Sequence, residues 1–246
     1  MKLFDFTSAR VLVTGGSNGI GLGIARAFAE AGAHVTITGM RASAADYDHD
    51  LGGFDYAQLD LRDDQAIEAL PGTLTALDVL VNNAGSTKIF EEWQPDIFGE
   101  SVRINLISAF RMCVACKPLL AQSSLVGGAS ILNNASMAAY FASAGEMNPG
   151  YATAKAGIVL LTKNLGSAWA PDGIRVNALA PGLIETNMTA PLKDMPEESK
   201  QLMDRTPMKR WGTPADIAGP ALFFASPAAS FVTGQTLCID GGFSLA

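Results

Sequence analysis

The 246-residue chain predicts a single doubly wound α/β domain, on three observations. Short β-rich runs alternate with helical patterns, the strand runs are apolar on both faces, and a glycine-rich turn joins the first strand to the first helix. The alternation begins "RVLVT", "GIGLGIARAFAEAG", "HVTIT", "FDYAQLD", "DQAIEAL", "LDVLVNNAG", then a long helical stretch ending at Leu120 and "GASILNNAS". It continues with "GYATAKAGIVLLTKNLGSAWA", "IRVNALAPG", a polar stretch near 187 to 213, "PADIAGPALFFAS" and "QTLCIDGG". A βαβα order builds a parallel sheet, because each crossover helix returns the chain to start a strand in the same direction. Strands covered by helices on both sides need apolar residues on both faces, as these have. No repeat, low-complexity tract or linker interrupts the pattern, so residues 1–246 are expected to form one domain.

Composition narrows the partners. Hydrophobic residues make up 48% and charged residues 17%, the balance of a chain that buries a core rather than one that stays disordered. The net charge is −7 with scattered acidic residues, so no basic stripe is available for a nucleic-acid backbone. No apolar run reaches the roughly eighteen residues of a membrane helix, and "MKLFDFTSAR" is too short and polar for a secretory signal. A cytoplasmic protein without a membrane partner is the expectation. The three cysteines, Cys113, Cys116 and Cys238, do not suit a disulfide framework. Cys113 and Cys116 have redox spacing but lie in the apolar helical pattern "NLISAFRMCVACKPLL" without a second pair or a nearby histidine, so they are expected to pack in the core, and no metal is expected.

"VLVTGGSNGIGLGIARAFAEAG" places Gly15, Ser17, Asn18, Gly19, Ile20 and Gly21 between a strand and an amphipathic helix. A dinucleotide pyrophosphate needs such a turn, because the helix start offers unpaired N–H groups and the positive end of its dipole. Glycines let the backbone approach the phosphates. The spacing is G-x-x-x-G-x-G, not G-x-G-x-x-G, and a tight turn without ligand is the competing reading. At the end of the second strand, "TITGMRAS", Gly39 stands where an acidic residue would select a free ribose 2′-hydroxyl, and Arg41 follows. This favours NADP(H) over NAD(H), against the alternative that Arg41 is a solvated loop charge.

Tyr151 and Lys155 are four residues apart and share a helix face, with Pro149 and Gly150 as a helix start and Ile158, Leu161 and Leu165 continuing the period. Free tyrosine titrates near ~10, and working near neutrality requires about 4 kcal/mol of preference for the phenolate. An ammonium at ~4 Å, with an effective dielectric of about 20, supplies on the order of 4 kcal/mol. Lys155 is therefore expected to bring the phenol toward neutrality by itself.

With "TGGSNGIG" at 14–21, "NNAG" at 82–85, Asn105, Ser136, "YATAK" at 151–155 and "PGLIET" at 181–186, the whole chain resembles the short-chain dehydrogenase/reductase family. The resemblance implies a Rossmann-like, seven-stranded parallel sheet that binds a nicotinamide dinucleotide at the carboxyl ends of its strands. It implies Asp60 and its neighbour Leu61 at the adenine, and Asn83, Ala84 and Gly85 near the adenosine ribose. Asn82 is read as a brace of the sheet. Pro181, Gly182, Ile184 and Thr186 fall in the segment implied for the nicotinamide carboxamide. Asn18 counts against NADP(H), since NADP-preferring relatives often carry a basic residue there.

By the same resemblance Tyr151 exchanges the proton, Ser136 orients the substrate oxygen, Lys155 also holds the nicotinamide ribose, and Asn105 anchors a water. Asn105 as an ordinary buried amide stays open. Ser143 is the rival of Ser136, because the segment between Ser136 and Tyr151 is longer than usual. In that segment Tyr140, Phe141 and Met147 are candidate pocket walls. The Met-containing stretch 187–213 is expected to cover the substrate, a small secondary alcohol or ketone. Relatives imply a homotetramer. A family variant with non-redox chemistry, or a dinucleotide-binding regulator without turnover, is the alternative function.

Overall fold

Val11 and Val13 of the first strand, β1 (Arg10–Val13), join one hydrophobic layer while Leu12 between them joins the other. That alternation, repeated along the neighbouring strands, requires helices on both faces. In this computed structural model, which describes residues 4–141 and 147–245, the chain runs from β1 through α1 (Gly19–Glu30), β2 (His34–Gly39), β3 (Asp55–Gln58), α2 (Asp64–Ala69) and β4 (Val79–Asn82). It continues with α3 (Pro95–Val102), α4 (Ser108–Leu120), β5 (Ala129–Asn134), α5 (Pro149–Trp169) and β6 (Ile174–Pro181). The last elements are α6 (Ala190–Lys193), α7 (Pro196–Arg205), α8 (Pro214–Ala225) and β7 (Thr236–Ile239).

Among the described residues the strands form one seven-stranded parallel sheet in the order β3-β2-β1-β4-β5-β6-β7. From β1 the chain moves outward to β3 and then returns to lay β4 on the other side of β1, with Val11 opposite both Val35 and Val79. This reversal opens a crevice beyond the carboxyl ends of β1 and β4, the position at which open α/β sheets bind ligands. On one face α1 and α8 pack together over Val13, Ile37 and Val81, with Phe6 edge-on to Phe28 at 4.9 Å. On the other, Ile67, Met112, Cys113, Leu120 and Leu165 cover Leu12, Leu80 and Ile131.

Local chemistry sets the ends of the elements. Asp63 caps α2 by accepting from the N–H groups of Gln65 and Ala66, Pro149 opens α5, and Thr213 and Asp216 form a capping box on α8. Arg175 on β6 is buried and donates to the carbonyls of Phe224 and Ala225, where α8 leaves its last acceptors unpaired.

The long helical stretch ending at Leu120 is interrupted at Asn105. A π-helical turn over Arg103–Ile107 separates α3 from α4. Buried Asn105 lies in it and donates from Nδ2 to the carbonyls of Ser101 (2.9 Å) and Ser86 (2.7 Å). Its amide thus bonds backbone carbonyls around the widened turn, which is how such turns are held inside helices. The stretch 187–213 carries α6 and α7. Cys113 and Cys116 are buried in the core as expected, and burial pushes both thiols up to about 12, with the Asn82 amide bonded to Cys113 Sγ (3.1 Å) pulling the other way for that residue. No helix among the described residues is long and apolar enough to cross a membrane.

Candidate active site

A cavity of about 680 Å³ lies along the carboxyl ends of the strands, and residues from both halves of the chain line it. At one end the glycine turn contributes Gly15, Ser17, Asn18, Gly19 and Ile20. Thr38 Oγ1 accepts from Gly15 N–H (3.2 Å), and Asn83 donates from Nδ2 to the carbonyls of Thr14 (3.1 Å) and Gly15 (3.3 Å). The turn is thus held from β2 and from the end of β4. Asn18 at the start of α1 makes no side-chain capping bond, which leaves the first N–H groups of the helix for an anion. Gly21 does not line the cavity. A Cβ there would stand 2.3 Å from Gly15 O and 2.4 Å from Asn83 Nδ2, so this glycine serves the close packing of the turn and not ligand contact.

Gly39 has a comparable steric reason. A Cβ at that position would meet the hydroxyls of Tyr47 at 2.2 Å, Ser17 at 2.8 Å and Tyr56 at 2.9 Å. No carboxylate side chain fits there without displacing Tyr47. Arg41 lines the cavity with its guanidinium 4.9 Å from the centre of the Tyr47 ring, and Tyr56 donates to the Arg41 carbonyl. Tyr47 also lines the cavity, yet nothing in its local sequence marks it as a site residue.

Asp60 and Leu61 line the same end, and Arg62, unanticipated from sequence, holds Asp60 from Nε (3.0 Å) and from its terminal nitrogen (2.7 Å). The hydrogen bonds from Arg62 keep the Asp60 carboxyl below its ordinary range. Ala84, Gly85, Pro181, Gly182, Ile184 and Thr186 line the cavity beside Asn83. The 181–186 loop is locked by Thr189, whose Oγ1 donates to the Ile184 carbonyl (2.5 Å) and accepts from Thr186 N–H (3.1 Å). Asn82 braces the sheet, donating from Nδ2 to Asn133 Oδ1 (3.0 Å).

At the other end Ser136, Tyr151 and Lys155 meet in the cavity wall. Ser136 follows β5 and accepts from Ala138 N–H (3.1 Å), and its hydroxyl hydrogen-bonds the Tyr151 phenol. Lys155 Nζ donates to the Asn134 carbonyl (2.7 Å) and stands 5.4 Å from the centre of the Tyr151 ring. Asn105 Oδ1 is buried without a partner, and a Cβ on Gly85 would stand 2.5 Å from it and 3.6 Å from Lys155 Nζ. Three of the four residues expected to act together thus line the cavity, and Asn105 lies outside its lining, behind Gly85.

The electrostatics differ from the expectation that Lys155 alone brings Tyr151 toward neutrality. Burial raises the Tyr151 phenol above its ordinary value, the Ser136 hydrogen bond pulls it back, and the charge of Glu92 adds to the rise. Burial also brings Lys155 down to about 8. Lys155 is buried and Tyr151 partly so, and desolvation disfavours the charged form of each.

Tyr140 and Met147 are not brought to the cavity lining. Tyr140 is half-exposed with its hydroxyl facing Thr236 and Cys238 of β7, and the Met147 carbonyl accepts from Phe90 N–H (2.7 Å). The Phe141 ring lies 5.6 Å from that of Phe243. Polar and aromatic partners near the C-terminal segment hold Tyr140 and Phe141 away. Ser143 lies outside the described residues. Asn187, Met188 and Thr189 of the 187–213 stretch line the cavity, whereas Met195 and Met208 are exposed.

The cavity fits a dinucleotide. Besides the uncapped helix start, its lining includes Asn134, whose buried Oδ1 has no partner. Hydroxyl-bearing ligands satisfy such acceptors, and a phosphate suits the helix end.

A parallel sheet with a glycine turn and a Ser-Tyr-Lys group in one crevice defines a nicotinamide-dependent enzyme of the Rossmann type. The model of the family described as enoyl-(acyl carrier protein) reductase matches residues 15–244. A 3-oxoacyl-[acyl-carrier-protein] reductase of Chlamydia pneumoniae is 38% identical, over 96% of this chain and 96% of its own. Galactitol 2-dehydrogenase of Cereibacter sphaeroides is 35% identical, over 99% and 98%. A solved gluconate 5-dehydrogenase from Burkholderia cenocepacia, in complex with NADP and tartrate, superposes with a TM-score of 0.89 at 33% identity, covering 99% of this chain and 98% of that one. The chain belongs to the short-chain dehydrogenase/reductase family, and it is an NAD(P)-dependent oxidoreductase of alcohol and ketone groups.

Proposed function

We propose that the protein interconverts a small secondary alcohol and its ketone with NADP(H) in preference to NAD(H), using Tyr151 as the proton-transfer group. The observation that carries this reading is that Ser136, Tyr151 and Lys155 line one cavity with the glycine turn, with Asn105 packed behind Gly85. Gly15, Ser17, Asn18, Gly19 and Ile20 hold the phosphates, and Asp60 and Leu61 the adenine. Asn83, Ala84 and Gly85 border the adenosine ribose, and Pro181, Gly182, Ile184 and Thr186 border the carboxamide. When bound, the nicotinamide cofactor supplies or accepts the hydride.

In reduction, the Tyr151 hydroxyl gives its proton to the substrate oxygen, and in oxidation it takes that proton back. Ser136 donates a hydrogen bond to the same oxygen as charge develops. Lys155 holds the ribose hydroxyls and favours the phenolate, and a water bound to Asn105 Oδ1 passes the proton onward. Preference for NADP(H) is supported by Gly39 in place of an acidic residue at the end of β2 and by Arg41 in the cavity wall. The segment 187–213 covers the substrate through Met188. Assembly as a homotetramer is supported by an apolar stripe at helical spacing on one face, Ile107, Phe110 and Val114, all exposed, with Leu160 of α5 also exposed.

Absorbance at 340 nm tests the activity, with NADP⁺ or NAD⁺ against galactitol, gluconate and 2-propanol, and with NADPH or NADH against an acetoacetyl thioester. Turnover with a lower KM for the phosphorylated cofactor is expected. A clear NAD⁺ preference overturns the cofactor assignment, and full turnover by Tyr151→Phe overturns the proton-transfer assignment.

A further inference from the structure

Glu92, in the segment between β4 and α3, is completely buried at 0% exposure. Its Oε1 accepts from Ser101 Oγ (2.6 Å), Thr87 Oγ1 (3.0 Å) and Lys88 N–H (3.2 Å), and its Oε2 accepts from Tyr151 N–H (2.8 Å). No lysine or arginine among the described residues forms an ion pair with it, and the nearby Lys88 ammonium pairs with Glu100 instead (2.9 Å). A buried carboxylate without a cation is costly, and these donors offset the cost only in part. Tyr151 N–H is among the first unpaired donors of α5, and Asn148 at the cap position does not bond it with its side chain. Glu92 takes over that capping role from 59 residues away in sequence.

We propose that Glu92 is the positioning residue of the proton-transfer tyrosine: its buried carboxylate seats Tyr151 through the backbone N–H and fixes a negative charge at the first turn of α5. The inference rests on Tyr151 being the proton-transfer group. Three segments meet at this carboxylate: the strand exit through Thr87 and Lys88, α3 through Ser101, and the first turn of α5. Neutral acceptors could tie these segments together without the cost of a buried charge, so the charge itself needs a purpose. Among the described residues, the groups that bear on Tyr151 are Lys155 on its own helix, the Ser136 hydroxyl beyond β5, and Glu92, whose charge contributes to the raised phenol. Lys155 favours the phenolate and Glu92 the phenol. With both present, Tyr151 is kept as a proton donor, which suits ketone reduction.

The pH dependence of kcat tests this, for oxidation of whichever alcohol of the panel above turns over fastest, with saturating NADP⁺. In Glu92→Gln the acid limb should move to lower pH by about one unit, a tenfold change in proton affinity, while the NADP⁺ Kd measured by calorimetry stays at its wild-type value. A limb that stays at the wild-type pH overturns the proposal, because a purely structural carboxylate lowers kcat at every pH without moving it. If Glu92→Gln does not fold, Glu92→Asp carries the test: it keeps the charge but is one methylene short of Tyr151 N–H. Withdrawing the charge by that distance should move the acid limb to lower pH by a smaller step than in Glu92→Gln, and a limb left in place overturns the proposal. An inactive Tyr151→Phe with an unmoved Glu92→Gln limb sinks this inference alone, whereas an active Tyr151→Phe sinks the assignment of Tyr151 beneath it.

Discussion

The two ends of the cavity are built by different means. At the glycine-turn end the lining residues sit on strand ends, and bonds from neighbouring strands hold the backbone, as Thr38 and Asn83 hold Gly15. At the substrate end the wall comes from connections after β5 and β6, and among its described residues Met188, Asn187 and Thr189 follow a loop held largely by Thr189. Sheet register repeats the first construction wherever the fold recurs. The second depends on local side chains and is free to vary with the substrate.

Tyr151 stands at the junction and gives the largest expected effect. Tyr151→Phe should lower kcat on the order of a thousandfold in both directions, with an unchanged NADP⁺ Kd, measured by 340 nm absorbance and calorimetry. A changed Kd would mean that the phenol also builds the cofactor end.

Lys155 is the buried charge at that junction. Its folded value of about 8 lies below the ordinary 10.5, so between those pH values the unfolded chain holds a proton that the folded one lacks, and stability from this group rises with pH. Below about pH 8 both states are protonated and the full cost of burial is present. Lys155→Met should therefore be more stable than wild type at pH 7 by about 1–2 kcal/mol, net of the orphaned Asn134 carbonyl, with the gain fading toward pH 10.5. Urea unfolding at several pH values checks this. A constant difference across pH would place the effect in packing rather than in charge.

Smaller substitutions separate the two ends. Arg41→Ala should raise the KM for NADP⁺ about tenfold and leave that for NAD⁺ and for the alcohol nearly unchanged. Met188→Ala should raise the substrate KM about threefold without touching either cofactor constant. If either variant changes both sets of constants, the two ends are coupled and the contrast between them fails.

Local pattern made much of this legible. The strand and helix alternation, the glycine turn, Pro149 at the start of α5, and Cys113 and Cys116 in the core all follow from hydrophobic periodicity and backbone preference, which act over a few residues. The shared helix face of Tyr151 and Lys155 and the place of Ser136 after a strand were legible too, and all three line the cavity. Only the tertiary structure decided the rest. Tyr47 excludes a carboxylate at Gly39 from eight residues away, Arg62 engages Asp60, and the π-helical turn sets Asn105 against Gly85. Tyr140, which resembles a pocket residue in sequence, faces β7. Nothing in "FEEWQ" marks Glu92, which is buried and accepts from Tyr151 N–H. The proton affinity of Tyr151 belongs with these, since desolvation and charges at long sequence separation set it, and neither leaves a periodic trace in the chain.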